Sequence, residues 1–227
     1  MSEIIAVEIA PGQKVTATVY PAAKREPTGV TLILGHGAGA GQSSGFMVSF
    51  ATALAARGIE TVTFNFPYME QGRRLPDPKD KLESCYRAVI ETVAQRKRGR
   101  GPLAIGGKSM GGRIASQVAA GDAPGVAGLV LLGYPLHPPG KKDQLRVKHL
   151  AAIKAPMLFV QGSRDTFGTP EELRPILETL KAPAELYEVA GGDHSFKVLK
   201  RAGVTQEETY KAVLDRIDHW LRASVTP

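Results

Sequence analysis

From residue 30 onward the chain alternates short apolar runs with helical patterns, and this alternation constrains its fold more than any other feature. Runs rich in Val, Ile and Leu lie near 30–34, 59–64, 102–106, 127–132, 156–161 and 184–189. Between and after them, apolar residues recur at helical spacing over 45–57, 80–97, 110–120, 170–181 and 206–222. Strands separated by helices of this length pair in parallel, and a parallel sheet must be covered on both faces. Ahead of them, 3–10 and 14–20 read as an antiparallel start. The expectation is an α/β fold: a mostly parallel eight-stranded sheet with helices on both faces, in one domain over residues 1–227. A chain of 227 residues can bury such a core. No internal repeat or linker interrupts it.

The stretch Leu103 to Ala115 carries the chemistry. A short apolar run leads into Gly107-Lys108-Ser109-Met110-Gly111, and a helical pattern follows. A G-x-S-x-G between strand and helix is a nucleophile elbow. The turn is tight enough to strain Ser109, and its neighbours two residues away must lack bulk. Gly107 and Gly111 meet that need, backed by Gly106 and Gly112. The serine hydroxyl is lifted to a helix N-terminus, where free N–H groups and the positive dipole end suit a developing negative charge.

A serine hydroxyl is a poor nucleophile until a base takes its proton, and the base must be held by an acid. The expected chain order is serine, acid, histidine. Downstream, the strand 156–161 runs into a loop containing Asp165, and the strand 184–189 ends in Gly191-Gly-Asp-His194-Ser-Phe196. Asp165 and His194 therefore lie past strand C-terminal ends, on the same sheet edge as Ser109, where such sheets bind ligands. Among the five histidines, His219 sits inside the closing helix beside Trp220 and reads as structural. Asp193 is the rival acid, but adjacent side chains rarely orient each other as a triad requires. Asp165 is the preferred acid.

Between the strand 30–34 and the next helix lies Gly35-His-Gly-Ala-Gly-Ala-Gly41. Its near absence of side chains exposes backbone N–H groups. An acyl-transfer intermediate needs two such donors, one after the nucleophile and one from this loop. Met110 supplies the first; Ala38 is the choice for the second, with Gly37 or Gly39 as alternatives. Two phosphate-binding readings compete and fail. Gly35-x-Gly37-x-x-Ala40 does not open directly into a helix, and Gly107-Lys108-Ser109 lacks the P-loop glycine, since position 102 is Pro.

The Gly-His-Gly loop, the Gly-Lys-Ser-Met-Gly elbow, the Ser-Arg-Asp turn and the Gly-Asp-His-Ser-Phe turn together resemble an α/β-hydrolase. More narrowly they resemble its small lidless branch, related to dienelactone hydrolase and to a testis-expressed mammalian protein. Phe64-Asn-Phe-Pro-Tyr-Met-Glu70 and Gly133-Tyr-Pro-Leu-His-Pro-Pro139 are also similar to that branch, so the likeness spans about 30 to 220. It implies the α/β-hydrolase fold and acyl-hydrolase chemistry, and little about substrate. One departure is that dienelactone hydrolases proper use a cysteine nucleophile, whereas position 109 is Ser. Caps in this fold are commonly inserted between the sixth and seventh strands. Here 133–155 contains Pro135, Pro138 and Pro139 and reads as loop with at most one short helix, so no cap domain is expected and the cleft is open.

The functional expectation is a serine hydrolase of esters or thioesters of short to medium acyl chain, needing neither metal nor cofactor. Two alternatives remain: a catalytically silent interaction scaffold on the same fold, and a perhydrolase or acyltransferase using the same triad. Substrate contacts are expected from Gly37, Gly39, Tyr68 and His137. The cleft walls are assigned to Gly39–Phe46, Pro67–Pro78 and Tyr134–Lys142, with Arg73, Arg74, Lys108 and Lys197 near enough to attract anions. The net charge of +7 is densest at Arg96-Lys-Arg-Gly-Arg100, where a helix ends and cations complement its dipole, so it reads as a solvated face and not a nucleic-acid surface. The N-terminus has no signal-peptide pattern, no run approaches ~18 apolar residues, and the lone Cys85 falls in a helical pattern. These features point to a cytoplasmic protein with a small-molecule acyl substrate and no membrane partner.

Overall fold

The structure, a computed structural model, describes residues 1–23, 27–97, 101–121, 125–199 and 203–225. The chain opens with the antiparallel hairpin β1 (Glu3–Ala10) and β2 (Gln13–Tyr20). It continues as β3 (Thr31–Gly35), α1 (Gly45–Ala56), β4 (Glu60–Phe64), the short α2 (Pro67–Glu70) and α3 (Lys79–Lys97). Then come β5 (Leu103–Lys108), α4 (Met110–Ala120), β6 (Val126–Leu132), β7 (Met157–Gly162), α5 (Pro170–Leu177), β8 (Ala184–Val189) and α6 (Gln206–Ser224). One sheet holds all eight strands in the order β1-β2-β4-β3-β5-β6-β7-β8. β2 pairs antiparallel with both β1 and β4, and every other pairing is parallel.

The central strands are apolar at successive positions because both faces are covered. Ile33, Ile105, Leu129, Leu131 and Phe159 enter the core under α3, α4 and α5. Their neighbours Leu34, Ala104, Val130, Leu132 and Val160 enter a second core with Phe50, Trp220 and the rest of α1 and α6. This is the cap-free α/β-hydrolase arrangement. Between β6 and β7 the chain forms only a loop and a single 3₁₀ turn at Leu150–Ala152.

Three local differences from the sequence expectation have physical causes. β3, β5 and β7 run on through Gly35, Lys108 and Gly162, because each of these residues still pairs with the neighbouring strand. α2 begins with Pro67 at its first position, where a missing N–H is harmless. α5 ends at Leu177 rather than near 181: Thr179 and Leu180 donate to Ile176 and Leu177, three residues back, which tightens and closes the last turn. Cys85 is buried in α3, and burial pushes its thiol up to about 12. Of the basic cluster at 96–100, Arg98, Gly99 and Arg100 lie outside the described residues; Arg96 pairs with Glu3 at 2.8 Å. Among the described residues, no helix is long and apolar enough to cross a membrane.

Candidate active site

Ser109 sits between β5 and α4 with φ 52° and ψ −116°, a region that non-glycine residues rarely occupy. Main-chain crowding enforces this geometry. A Cβ on Gly107 or on Gly111 would collide with the Gly35 backbone, and one on Gly112 with the Gly107 carbonyl. The end of β3 and the start of α4 thus press against the turn from both sides. Ser109 N–H donates to Leu132 O at 2.9 Å, fixing the turn to β6. Beneath it the buried Tyr86 hydroxyl accepts from Gly106 N–H and lies 2.6 Å from Gly106 O and 2.9 Å from Ile33 O, bracing β3 and β5 together.

The structure brings Ser109, His194 and Asp165 into one series. His194 Nε2 lies 2.9 Å from Ser109 Oγ, and His194 Nδ1 lies 2.7 Å from Asp165 Oδ2. The tautomer that satisfies both bonds carries its proton on Nδ1 and accepts from the serine hydroxyl at Nε2. Asp165 is buried and fully committed. Its Oδ2 also accepts from Gln161 Nε2 at 2.9 Å, and its Oδ1 accepts from Phe167 N–H at 2.8 Å. Gln161, which the sequence reading passed over, is itself locked by Tyr134 N–H and Gly168 O. Only its place next to the end of a buried strand hinted at such a role. Asp193 is used differently: its Oδ1 accepts the amides of Ser195 and Lys197, shaping the turn that presents His194. The Phe167 ring lies against the imidazole at 4.4 Å, and Gln206, first residue of α6, holds Phe196 O and Val198 N–H.

The glycine loop after β3 is held by two buried aromatic residues. His36 Nε2 accepts from Phe66 N–H at 3.0 Å, and its Nδ1–H donates to Gly37 O at 2.8 Å. Burial lowers its pKa to about 4, so the ring stays neutral. Tyr68 donates its hydroxyl to Ala38 O at 2.9 Å. Tyr68, expected at the substrate, is fully buried and acts behind the loop rather than in the cleft. His137 is likewise buried away from the cleft, with Nε2 facing Glu172 at 3.5 Å. Gly37, Ala38 and Gly39 line the cleft opposite Ser109. Met110, first residue of α4, has an N–H that finds no acceptor within its own helix, while its side chain turns into the core.

The cleft over Ser109 holds about 340 Å³ and is open to solvent. Its apolar walls come from Ala40, Phe46, Met47 and Phe167, with Ser44 and Ser195 adding hydroxyls. The segments 67–78 and 134–142, expected as walls, do not line it; Tyr134 is fully buried instead. Of the four basic residues expected nearby, only Lys108 lines the cleft. Its ammonium is buried without a hydrogen-bond partner, and burial lowers its pKa to about 8 against the opposing pull of Asp165 and Asp193. No cluster of three His, Cys, Asp or Glu side chains suited to a metal occurs among the described residues.

A strained serine at a strand-to-helix turn, faced by a histidine and a glycine loop on the carboxyl edge of a mostly parallel sheet, defines an α/β hydrolase. Residues 28–222 match the alpha/beta hydrolase domain family, and the chain belongs to that family. The fold is similar to that of XC6422 from Xanthomonas campestris, described as an a/b serine hydrolase without lid. Identity there is 22%, the TM-score is 0.77, and the match covers 100% of this chain and 97% of that one. It is also similar to a dienelactone hydrolase from Anabaena variabilis (20% identity, TM-score 0.73, 99% and 98% covered). A third similar structure is the esterase domain of a Rhodothermus marinus protein (14% identity, TM-score 0.73, 99% of each chain covered).

Proposed function

We propose that this protein is a serine hydrolase of carboxylic esters or thioesters of short to medium acyl chain, acting through an acyl-enzyme. The observation that carries the reading is the continuous series from Asp165 through His194 to Ser109, at 2.7 and 2.9 Å, opening on the cleft. Ser109 Oγ attacks the acyl carbonyl while His194 Nε2 takes its proton; the carbonyl electron pair moves onto oxygen. The amides of Met110 and Ala38 receive that oxyanion. Collapse breaks the bond to the leaving alkoxide or thiolate, which takes the proton from His194. Water then adds to the acyl-enzyme with His194 as base, releasing acid and free Ser109. Asp165 holds the imidazole in the productive tautomer and stabilises its charged form. The esterase named among the similar folds supports the same chemistry.

A fluorophosphonate probe tests the nucleophile: an adduct on Ser109 in the folded protein is expected, and its absence rejects the reading. Acyl length follows from the open cleft, where methylenes left in water forfeit roughly 0.8 kcal/mol each. Esters of p-nitrophenol with acyl chains of about two to four carbons are expected to outperform those of about twelve. A maximum at long chains would reject the open-cleft argument.

A further inference from the structure

Lys108 is a charged side chain for which the reaction above has no use. It ends β5, next to the nucleophile, and lies 7% exposed. Strand alternation sends it, like Ala104, to the α1 and α6 side of the sheet. There its ammonium stands 6.0 Å from the Phe46 ring centroid and 5.9 Å from that of Phe196. At that distance the rings attract a cation weakly. Among the described residues the ammonium has no hydrogen-bond partner. Two carboxylates influence it, and both are engaged elsewhere: Asp165 with His194, Gln161 and Phe167, Asp193 with the amides of Ser195 and Lys197. A buried, unpaired ammonium is expensive, and Met would fill the same space without that penalty.

What would complete it is a ligand anion. Lys108 lines the cleft together with Ser109, and among the described residues no Asp or Glu lines it. The N-terminus of α4 opens at the same place, so both fixed charge and helix dipole make the cleft positive. We infer that Lys108 is the anion-recognition residue of this cleft and that the protein selects esters bearing a carboxylate on their acyl or alcohol part. A single ammonium on a flexible stem, with no arginine in the lining among the described residues, suits a singly charged carboxylate better than a phosphate. This inference rests on the hydrolase reading and narrows its substrate.

The test uses pairs of esters matched except for charge. On the acyl side the pair is p-nitrophenyl hexanoate and the p-nitrophenyl monoester of adipic acid; on the alcohol side, phenyl acetate and 3-acetoxybenzoate. The quantity read is the ratio of kcat/KM, anionic over neutral, corrected for spontaneous hydrolysis. At about pH 7 one pair is expected to favour its anionic member about tenfold or more, as for a hydrogen bond to a charged group. The ratio falls as pH rises towards about 9, because the ammonium, at about 8, loses its proton. The charges that act on Lys108 are Asp165 and Asp193; His194 lines the same cleft, Tyr210 from α6 meets the edge of the Phe46 ring, and α1 contributes no titratable side chain. All of these remain in Lys108→Met, so the preference and pH dependence that this variant loses belong to Lys108. Neutral members favoured in both pairs, or an anionic preference that survives Lys108→Met, overturns the inference and leaves the hydrolase reading standing. Should the variant fail to fold, a wild-type ratio that stays flat over the same pH range overturns it. Failure to turn over any of the four esters, with no Ser109 adduct, rejects the hydrolase reading and this inference with it.

Discussion

The two edges of the sheet carry hollows of similar size, about 340 Å³ at the carboxyl edge and about 310 Å³ at the amino edge, yet their polar groups are used in opposite ways. At the amino edge, between Val19, Glu60, Arg96 and Lys97, every charged group is engaged in holding the chain. Lys97 reaches the carbonyls of Gly29 and Pro102 at 3.4 Å, Arg96 pairs with Glu3, and Glu60 accepts from Thr31. At the carboxyl edge the strained Ser109 opens on the cleft, and the Lys108 ammonium is buried beside it with no hydrogen-bond partner among the described residues. The difference follows from polarity. Helices after parallel strands present free N–H groups at one edge and free carbonyls at the other. The first arrangement suits anions from outside, and at the second edge Lys97 of the same chain meets two carbonyls. Volume alone does not mark a site; unspent polar groups do.

The comparison breaks most sharply by removing groups at the carboxyl edge. Ser109→Ala and His194→Ala are each expected to lower kcat on an activated ester by several orders of magnitude. Asp165→Asn is expected to lose about 10⁴, the loss seen when a triad histidine is left in the wrong tautomer. Asp193→Asn, which disturbs only a turn, is expected to lose far less. If Asp193→Asn proved the more damaging of the two, Asp165 would not be the acid.

Gly111→Ala comes next, since its Cβ meets the Gly35 backbone and neither chain can yield. A loss of about 3 kcal/mol in denaturant stability is expected. Gly39→Ala, in the same cleft but with no atom within 4 Å of its Cβ, is expected to stay within about 0.5 kcal/mol. Equal losses would show that backbone crowding does not hold the turn.

Acid is expected to act through the loop of this edge. His36 and His149 both have pKa values lowered by burial to about 4, from an ordinary 6.5. The unfolded chain therefore takes up protons before the folded one does. Stability is full above about pH 6.5 and is lost as pH falls towards about 4, with His36 contributing up to about 3 kcal/mol. Urea titrations across that range measure it, and a flat profile would mean that His36 is not buried neutral. The smallest effects belong to the amino edge. Lys97→Ala is expected to cost about 1 kcal/mol or less and to change kcat/KM by less than about twofold. A larger loss of turnover would erase the contrast between the edges.

The strand ladder was legible because a doubly covered sheet leaves continuous apolar runs, and chain order with strand-end placement brought Ser109, Asp165 and His194 to one edge. Tyr68 and His137 misled for a common reason. Both lie in segments that follow strands, Tyr68 in the short α2 and His137 in a loop, where a polar aromatic is equally able to face substrate or to support a neighbouring loop from behind, and no local pattern records which. Gln161 and His36 escaped attention because the contacts that fix their side chains come from distant chain, from Tyr134 in one case and from Phe66 in the other. The lone state of the Lys108 ammonium was equally hidden, since a sequence shows a charge but not whether anything answers it.

The contacts that aim Ser109 run from main chain to main chain, among Gly35, Gly107 and Gly111, whereas the cleft is walled by side chains such as Phe46, Met47 and Phe167. The two sets of residues are therefore free to drift independently over evolutionary time. Lineages that exchange the wall residues reshape the cleft while inheriting the placement of Ser109 unchanged. A library randomised at those three wall positions should therefore yield many variants that keep a reactive serine and differ only in what they accept.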